Sequence, residues 1–266
     1  MPAKGLIRNL TEFAPTRDLG IEPTFGCPVA CKRCIIGATD APRKFMLPEM
    51  LAERLNAIKN AGIINPNRTR HVIDPRPPGV YVHYSMRGDP LHNPQLAELT
   101  AVVRKAFPTA RIQSFWTLTG LNTQQELEKR TVGLDELILS IDAPHFAGIR
   151  RLYGVNKADF EAYITERLRW VKAAAAKNEF RVITSTAGRK KEQAIFTAGI
   201  TRAAEKAGFK AKLDYKPFSN NNGAKRNPAE LVIDTAILSA PGRLKGLDAK
   251  AILILHDCTI TDRYPE

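Results

Sequence analysis

Three cysteines fall within one short run, Cys27-Pro28-Val29-Ala30-Cys31-Lys32-Arg33-Cys34, a Cys-x3-Cys-x2-Cys spacing; the fourth cysteine, Cys258, stands alone. Thiols grouped this way do not make a disulfide framework, and in an intracellular protein they point to metal. Three thiolates on one loop can hold three irons of a four-iron, four-sulfur cubane and leave the fourth iron without a protein ligand. Such an open position lets a small chelating molecule bind and react. A competing reading is a zinc site completed by Cys258 or a histidine in a basic nucleic-acid-binding protein. A zinc knuckle, however, more naturally uses paired Cys-x2-Cys ligands.

A reactive loop needs rigid elements around it. Gly20 to Thr24 reads as a short strand leading into the cysteine loop. Pro48 to Ala61 reads as a helix with Leu51, Leu55 and Ile58 on one face. Further strands are expected at 79–85, 111–117, 135–141, 180–186 and 211–215. Helices are expected between them: one opened by Asn93 and Pro94 with Leu96, Leu99 and Val103 at helical spacing, a short one at 122–130, one at 158–177 and one at 190–207. Pro228 to Ala240 is compatible with a helix, and Ala251 to Leu255 reads as a closing strand. Alternation of this kind predicts an α/β fold with parallel strands.

Several strand-end segments, taken with the cysteine run, resemble the radical S-adenosylmethionine (AdoMet) superfamily. Ser85-Met86-Arg87-Gly88-Asp89-Pro90 is similar to the family's Gly-Gly-Glu-Pro segment. Thr117-Leu118-Thr119-Gly120-Leu121-Asn122 is similar to its Thr-Asn-Gly turn, and Ser140-Ile141-Asp142 to the polar end of its fourth strand. The resemblance spans roughly residues 20 to 220. It implies a partial (β/α)6 TIM-like barrel over 20–218, preceded by an extension over 1–19 and followed by a short C-terminal extension over 219–266 that closes the barrel.

The same resemblance implies a 4Fe–4S cluster on Cys27, Cys31 and Cys34, with AdoMet at its open iron. Gly88 and Asp89 would hold the AdoMet amino group, Asp89 standing where glutamate is usual. Ser140 would contact the ribose or carboxylate, with Thr119 and Asp142 close by. A cation for the AdoMet carboxylate would come from Arg150 or Arg151. Arg33 occupies the place of an adenine-packing aromatic and can stack through its guanidinium plane. The implied chemistry is oxygen-sensitive: reductive cleavage of AdoMet gives a 5′-deoxyadenosyl radical that takes a hydrogen atom from the substrate. The implied partner is an electron donor such as flavodoxin or ferredoxin.

The chain of 266 residues has a net charge of +13. Residues 150–226 hold 18 Lys and Arg against 7 Asp and Glu. That surplus suits a nucleic acid, a nucleotide or another polyanionic substrate, with Arg181, Arg189, Lys190, Lys191, Lys210, Lys212 and Lys216 as a phosphate track. It equally suits a solvated helix surface, or a face that docks an acidic electron donor to an enzyme acting on a peptide or small metabolite. The short termini offer no obvious leader-binding domain for peptide work. No apolar run is long enough for a membrane span, and residues 1–18 lack a signal-peptide core, so a cytoplasmic location is expected. Tyr84, Trp116, Thr186, Asp214 and Lys216 are candidates at strand ends, whereas His83 and His92 read as a strand side chain and a loop residue. Cys258 is either a buried thiol or a catalytic hydrogen-atom donor to a substrate radical.

Overall fold

The structure, a computed structural model, describes residues 16–26, 43–67, 77–84, 88–142, 154–174, 179–185, 190–214, 230–236, 252–254 and 260–261. The principal strands in chain order are β1 (Asp18–Ile21), β4 (Tyr81–Tyr84), β5 (Arg111–Trp116), β6 (Glu136–Asp142), β7 (Glu179–Ser185) and β8 (Lys210–Asp214). They alternate with α1 (Pro48–Asn60), α2 (Leu96–Ala106), α3 (Gln124–Arg130), α4 (Phe160–Ala174) and α5 (Lys190–Lys206). Later strands are β9 (Glu230–Ala236), β10 (Ile252–Ile254) and β11 (Ile260–Thr261). Among the described residues they form one sheet in the order β11-β10-β1-β4-β5-β6-β7-β9-β8, in which β11 pairs antiparallel with β10 and every other pairing is parallel. This is the expected α/β architecture, a partial barrel of β/α units.

Apolar spacing explains the helices. Leu51, Leu55 and Ile58 of α1 are buried, as are Leu96, Leu99 and Val103 of α2 and Phe160, Ile164, Leu168 and Val171 of α4. β6 is covered on both faces, since successive residues Leu137, Ile138 and Leu139 are all buried. Gly208, at φ +86°, follows α5 in the left-handed conformation that glycine adopts without penalty.

Two expectations need correction. The segment compatible with a helix, Pro228 to Ala240, contains strand β9, which pairs in parallel with both β7 and β8. Its Val232, Ile233 and Thr235 are β-branched, which favours a pleated surface over a helix. The first strand also ends early. After Ile21 the chain breaks at Pro23, and Thr24–Phe25 (β2) turns away to pair antiparallel with Lys44–Phe45 (β3). A proline has no N–H to give a ladder, and the Pro23 carbonyl here accepts from Met46 N at 2.9 Å instead.

Candidate active site

Parallel strands deliver their C-terminal ends to one side of the sheet, where the functional groups of such folds gather. Ile21 of β1 lies beside Tyr84 of β4, Tyr84 beside Ser114 of β5, and Trp116 beside Leu139 of β6. Three segments picked out in the sequence bear on these ends. The first is the cysteine run: Cys27, Arg33 and their neighbours lie outside the described residues, but both flanks are fixed. Pairing of Thr24 with Phe45 and of Phe25 with Lys44 brings the two ends together.

The second segment is Gly88-Asp89. A Cβ on Gly88 would strike the backbone carbonyl of Thr24, so the chain after β4 can pass against the stem of the cysteine segment only as glycine. Asp89 is 3% exposed. Its Oδ1 accepts from Leu91 N at 2.9 Å, capping the single turn Pro90–His92. Its Oδ2 accepts from both Thr117 N at 2.7 Å and Thr117 Oγ1 at 2.6 Å. One buried carboxylate thus ties the end of β4 to the end of β5.

The third segment is the turn at 117–120. Thr117 Oγ1 and Thr119 Oγ1 are 2.8 Å apart, and the Thr119 carbonyl accepts from Trp116 Nε1 at 2.9 Å and from His92 Nε2 at 3.2 Å. That assigns the Nε2–H tautomer to His92 and leaves its buried Nδ1 with no partner among the described residues. Leu118 takes φ +64°, a left-handed conformation costly for a side chain with a Cβ, and its carbonyl is held by Tyr163 Oη at 2.6 Å. Gly120 takes φ +74° with the His92 ring filling the space a Cβ would need.

The Asp89 carboxylate is the hub of this network, and Asp89→Asn tests it. An amide must turn its N–H₂ toward a donor of either Leu91 or Thr117, so stability should fall by about 2 kcal/mol. A urea midpoint equal to that of the unaltered protein would show that the carboxylate does not hold the two loops.

Ser140 and Asp142 occupy the final residues of β6, paired with Ile183 and Ser185 at the same end of the sheet. Arg150, Arg151, Thr186, Arg189, Lys216 and Cys258 lie outside the described residues, whereas Asp214 ends β8, paired with Asp234. Tyr84 and Trp116, candidates by position, prove to be fully buried core residues. Burial pushes the Tyr84 phenol well above its ordinary pKa, with the Thr100 hydroxyl and the Arg104 charge offsetting this only in part. His83 reaches Asp18 Oδ1 at 3.4 Å, so it and His92 both act inside the fold, as expected. Among the described residues no three His, Cys, Asp or Glu side chains are grouped to hold a metal, and no helix is long and apolar enough to cross a membrane.

Asn93 is the residue that sequence reasoning placed wrongly. Read as the cap of α2, it lies ahead of the helix, which starts at Leu96 behind Gln95. Its fully buried side chain instead donates to Pro23 O at 2.8 Å and to Met46 O at 3.0 Å, while its Oδ1 accepts from Gln95 N at 2.9 Å.

Several described cations of the basic half have internal partners. Arg202 and Lys206 of α5 pair with Glu161 of α4 at 3.1 and 2.7 Å, and the Lys206 ammonium, with Arg202, holds the Glu161 carboxyl below its usual range. Arg167 lies 4.3 Å from the Tyr163 ring centre and 4.0 Å from that of Trp170, and Lys172 Nζ donates to Gly208 O at 2.7 Å.

No protein-family model matches the sequence, and no curated protein does. Solved structures do match the fold. Streptococcus suis SuiB bound to S-adenosylmethionine superposes with a TM-score of 0.51 at 12% identity over 94% of this chain and 60% of SuiB. SuiB bound to its precursor peptide SuiA gives 0.50 at 12% identity, over 95% and 61%. A structure of TYW1 with a lysine-pyruvate adduct overlaps more loosely, with a TM-score of 0.39 at 18% identity over 73% and 60%. The chain therefore spans about 60% of the length of SuiB, and at this identity the likeness is one of fold. That fold is the partial α/β barrel that the motif resemblance implied.

Proposed function

We propose that this chain is a radical AdoMet enzyme, with Cys27, Cys31 and Cys34 as ligands of a 4Fe–4S cluster and AdoMet as its co-substrate. The observation that carries the reading is the convergence, at one end of the parallel sheet, of the paired flanks of the cysteine segment, the Gly88-Asp89 loop and the 117–120 turn. The donor set fits the group: three thiolates bind three irons and leave one open. Such a cluster, when bound and reduced, supplies the electron that cleaves AdoMet to methionine and a 5′-deoxyadenosyl radical.

The chain's own residues bind and orient. Gly88 lets the loop approach the stem of the cysteine segment closely. On Asp89, Oδ2 is filled by two donors while Oδ1 accepts one N–H, which leaves Oδ1 a lone pair for the AdoMet amino group. Thr119 presents its hydroxyl beside that carboxylate network. Ser140 and Asp142, at the end of β6, and one of Arg150 and Arg151 complete the AdoMet side, with Arg33 against the adenine. Cys258 is proposed as donor of the returning hydrogen atom. A small acidic electron carrier, of flavodoxin or ferredoxin type, would supply the reducing equivalent. The barrel core over 20–218 carries the site, and the extension over 219–266 contributes β9 and β10.

For the substrate, the charge of residues 150–226 favours a nucleic acid or nucleotide, although its described cations with internal partners weaken that support. A peptide is the second reading, favoured by the likeness to SuiB bound to its precursor peptide. Oxygen-free reconstitution should yield bound iron with the broad visible absorbance of an iron–sulfur cluster, and 5′-deoxyadenosine on adding reductant and AdoMet. Zinc without iron would defeat the proposal. Deuterium carried from labelled RNA or from labelled peptide into 5′-deoxyadenosine would choose between the two substrates.

A further inference from the structure

The geometry points to Asn93 as the positioning residue that clasps the base of the cluster-binding segment, an inference that rests on the radical AdoMet reading above. The problem it solves is physical: a chain leaving at Gly26 and returning at Arg43 must have its ends brought together at an entropic cost. The two-stranded ribbon of Thr24–Phe25 with Lys44–Phe45 is too short to be stable alone. Just behind it, the Asn93 carboxamide donates one N–H to Pro23 O at 2.8 Å, on the outgoing side, and the other to Met46 O at 3.0 Å, on the returning side. Both carbonyls flank the ribbon directly, and Met46 N closes the same ring on Pro23 O at 2.9 Å.

Only an amide fits this role. Two donors on one nitrogen face two carbonyls, and the remaining Oδ1 accepts from Gln95 N, so all three functions are used in a fully buried position. Asn93 is reached from the other side through a chain of contacts. It follows the turn that Asp89 caps, and Asp89 in turn holds Thr117. The clasp therefore sets where the two ends of the cysteine segment stand relative to the Asp89 loop, which is the relation on which joint binding of the cluster and AdoMet would depend.

Two variants test it. Asn93→Ala removes both donations, and the isosteric Asn93→Asp places acceptors against the two carbonyls without changing the volume. Each variant, reconstituted without oxygen beside the unaltered protein, is assayed for iron content, for the rate of iron loss to an external chelator, and for the change AdoMet makes in the electron paramagnetic resonance spectrum of the reduced cluster. Far-UV circular dichroism reports the fold. With the sheet intact, both variants should lose iron about tenfold faster or more, and the AdoMet-induced spectral change should weaken. Wild-type iron retention and spectra in the folded variants would overturn the clasp. So would unfolding of both, because Asn93 would then hold the sheet as a whole and not the cysteine segment. Failure of the unaltered protein itself to bind iron is a different result, and it would sink the underlying functional reading.

Discussion

Cys31→Ala, prepared and reconstituted without oxygen, should lose most of its iron, and its 5′-deoxyadenosine formation should fall by about 100-fold or more. In the proposed cluster three thiolates would each hold one iron, so removal of one would leave two irons open, and among the described residues no three His, Cys, Asp or Glu side chains are grouped to hold metal instead. His83 and His92, which a zinc site could have recruited, are engaged with Asp18 and with Thr119. The informative partner experiment is Cys258→Ala. If Cys258 returns a hydrogen atom to a substrate radical, iron and 5′-deoxyadenosine formation survive while product disappears. If Cys258 completes a zinc site, the metal is lost with it. A Cys31→Ala protein that retained full iron and activity would remove the cysteine triad from the chemistry.

Much of this architecture is legible along the chain because it is written in local periodicity. Leu51, Leu55 and Ile58, or Phe160, Ile164, Leu168 and Val171, recur at helical spacing and are buried. Glu136–Asp142 is recognisable as a buried strand because a run of apolar residues is covered on both faces. What local pattern does not encode is partnership at a distance. The 228–240 segment is apolar and short enough to suit helix or strand, and the pairing with β7 and β8 decides for the strand. Ala251 to Leu255 reads as a closing strand, but nothing in its own residues says that Ile252–Ile254 pairs with β1, far away in the chain.

The site divides the same way. The proposed cysteine ligands, Gly88, Asp89 and Thr119 are visible as residue types in sequence. The work of Asn93 is not, because Asn-Pro ahead of an apolar stripe is also a good helix start. Its true partners, Pro23 and Met46, lie 70 and 47 residues away. Trp116 and Tyr84 misled in the opposite direction. Strand-end aromatics can line a mouth or fill a core, and only packing distinguishes the two.

Packing also makes the turn after β5 a sensitive backbone position in the described site. Gly120→Ala should destabilise the protein by about 3 kcal/mol or more, from two additive causes. At φ +74° any Cβ carries the left-handed penalty, and the new methyl would occupy space filled by the buried His92 ring. The second cause can be isolated. His92→Ala alone opens a cavity and removes one donor from Thr119 O, so it too is destabilising. In the double variant the alanine methyl moves into space the ring has vacated, and the loss should be smaller than the sum of the single losses by about 1–2 kcal/mol. The φ penalty remains in both, so relief should be partial. Strict additivity in the unfolding midpoints would show that His92 does not pack against Gly120. Coupling of the expected size would establish that the turn beside Asp89 is held by a ring-against-backbone contact, and that its position, with that of Thr117 and Thr119, depends on a glycine for steric reasons independent of any ligand.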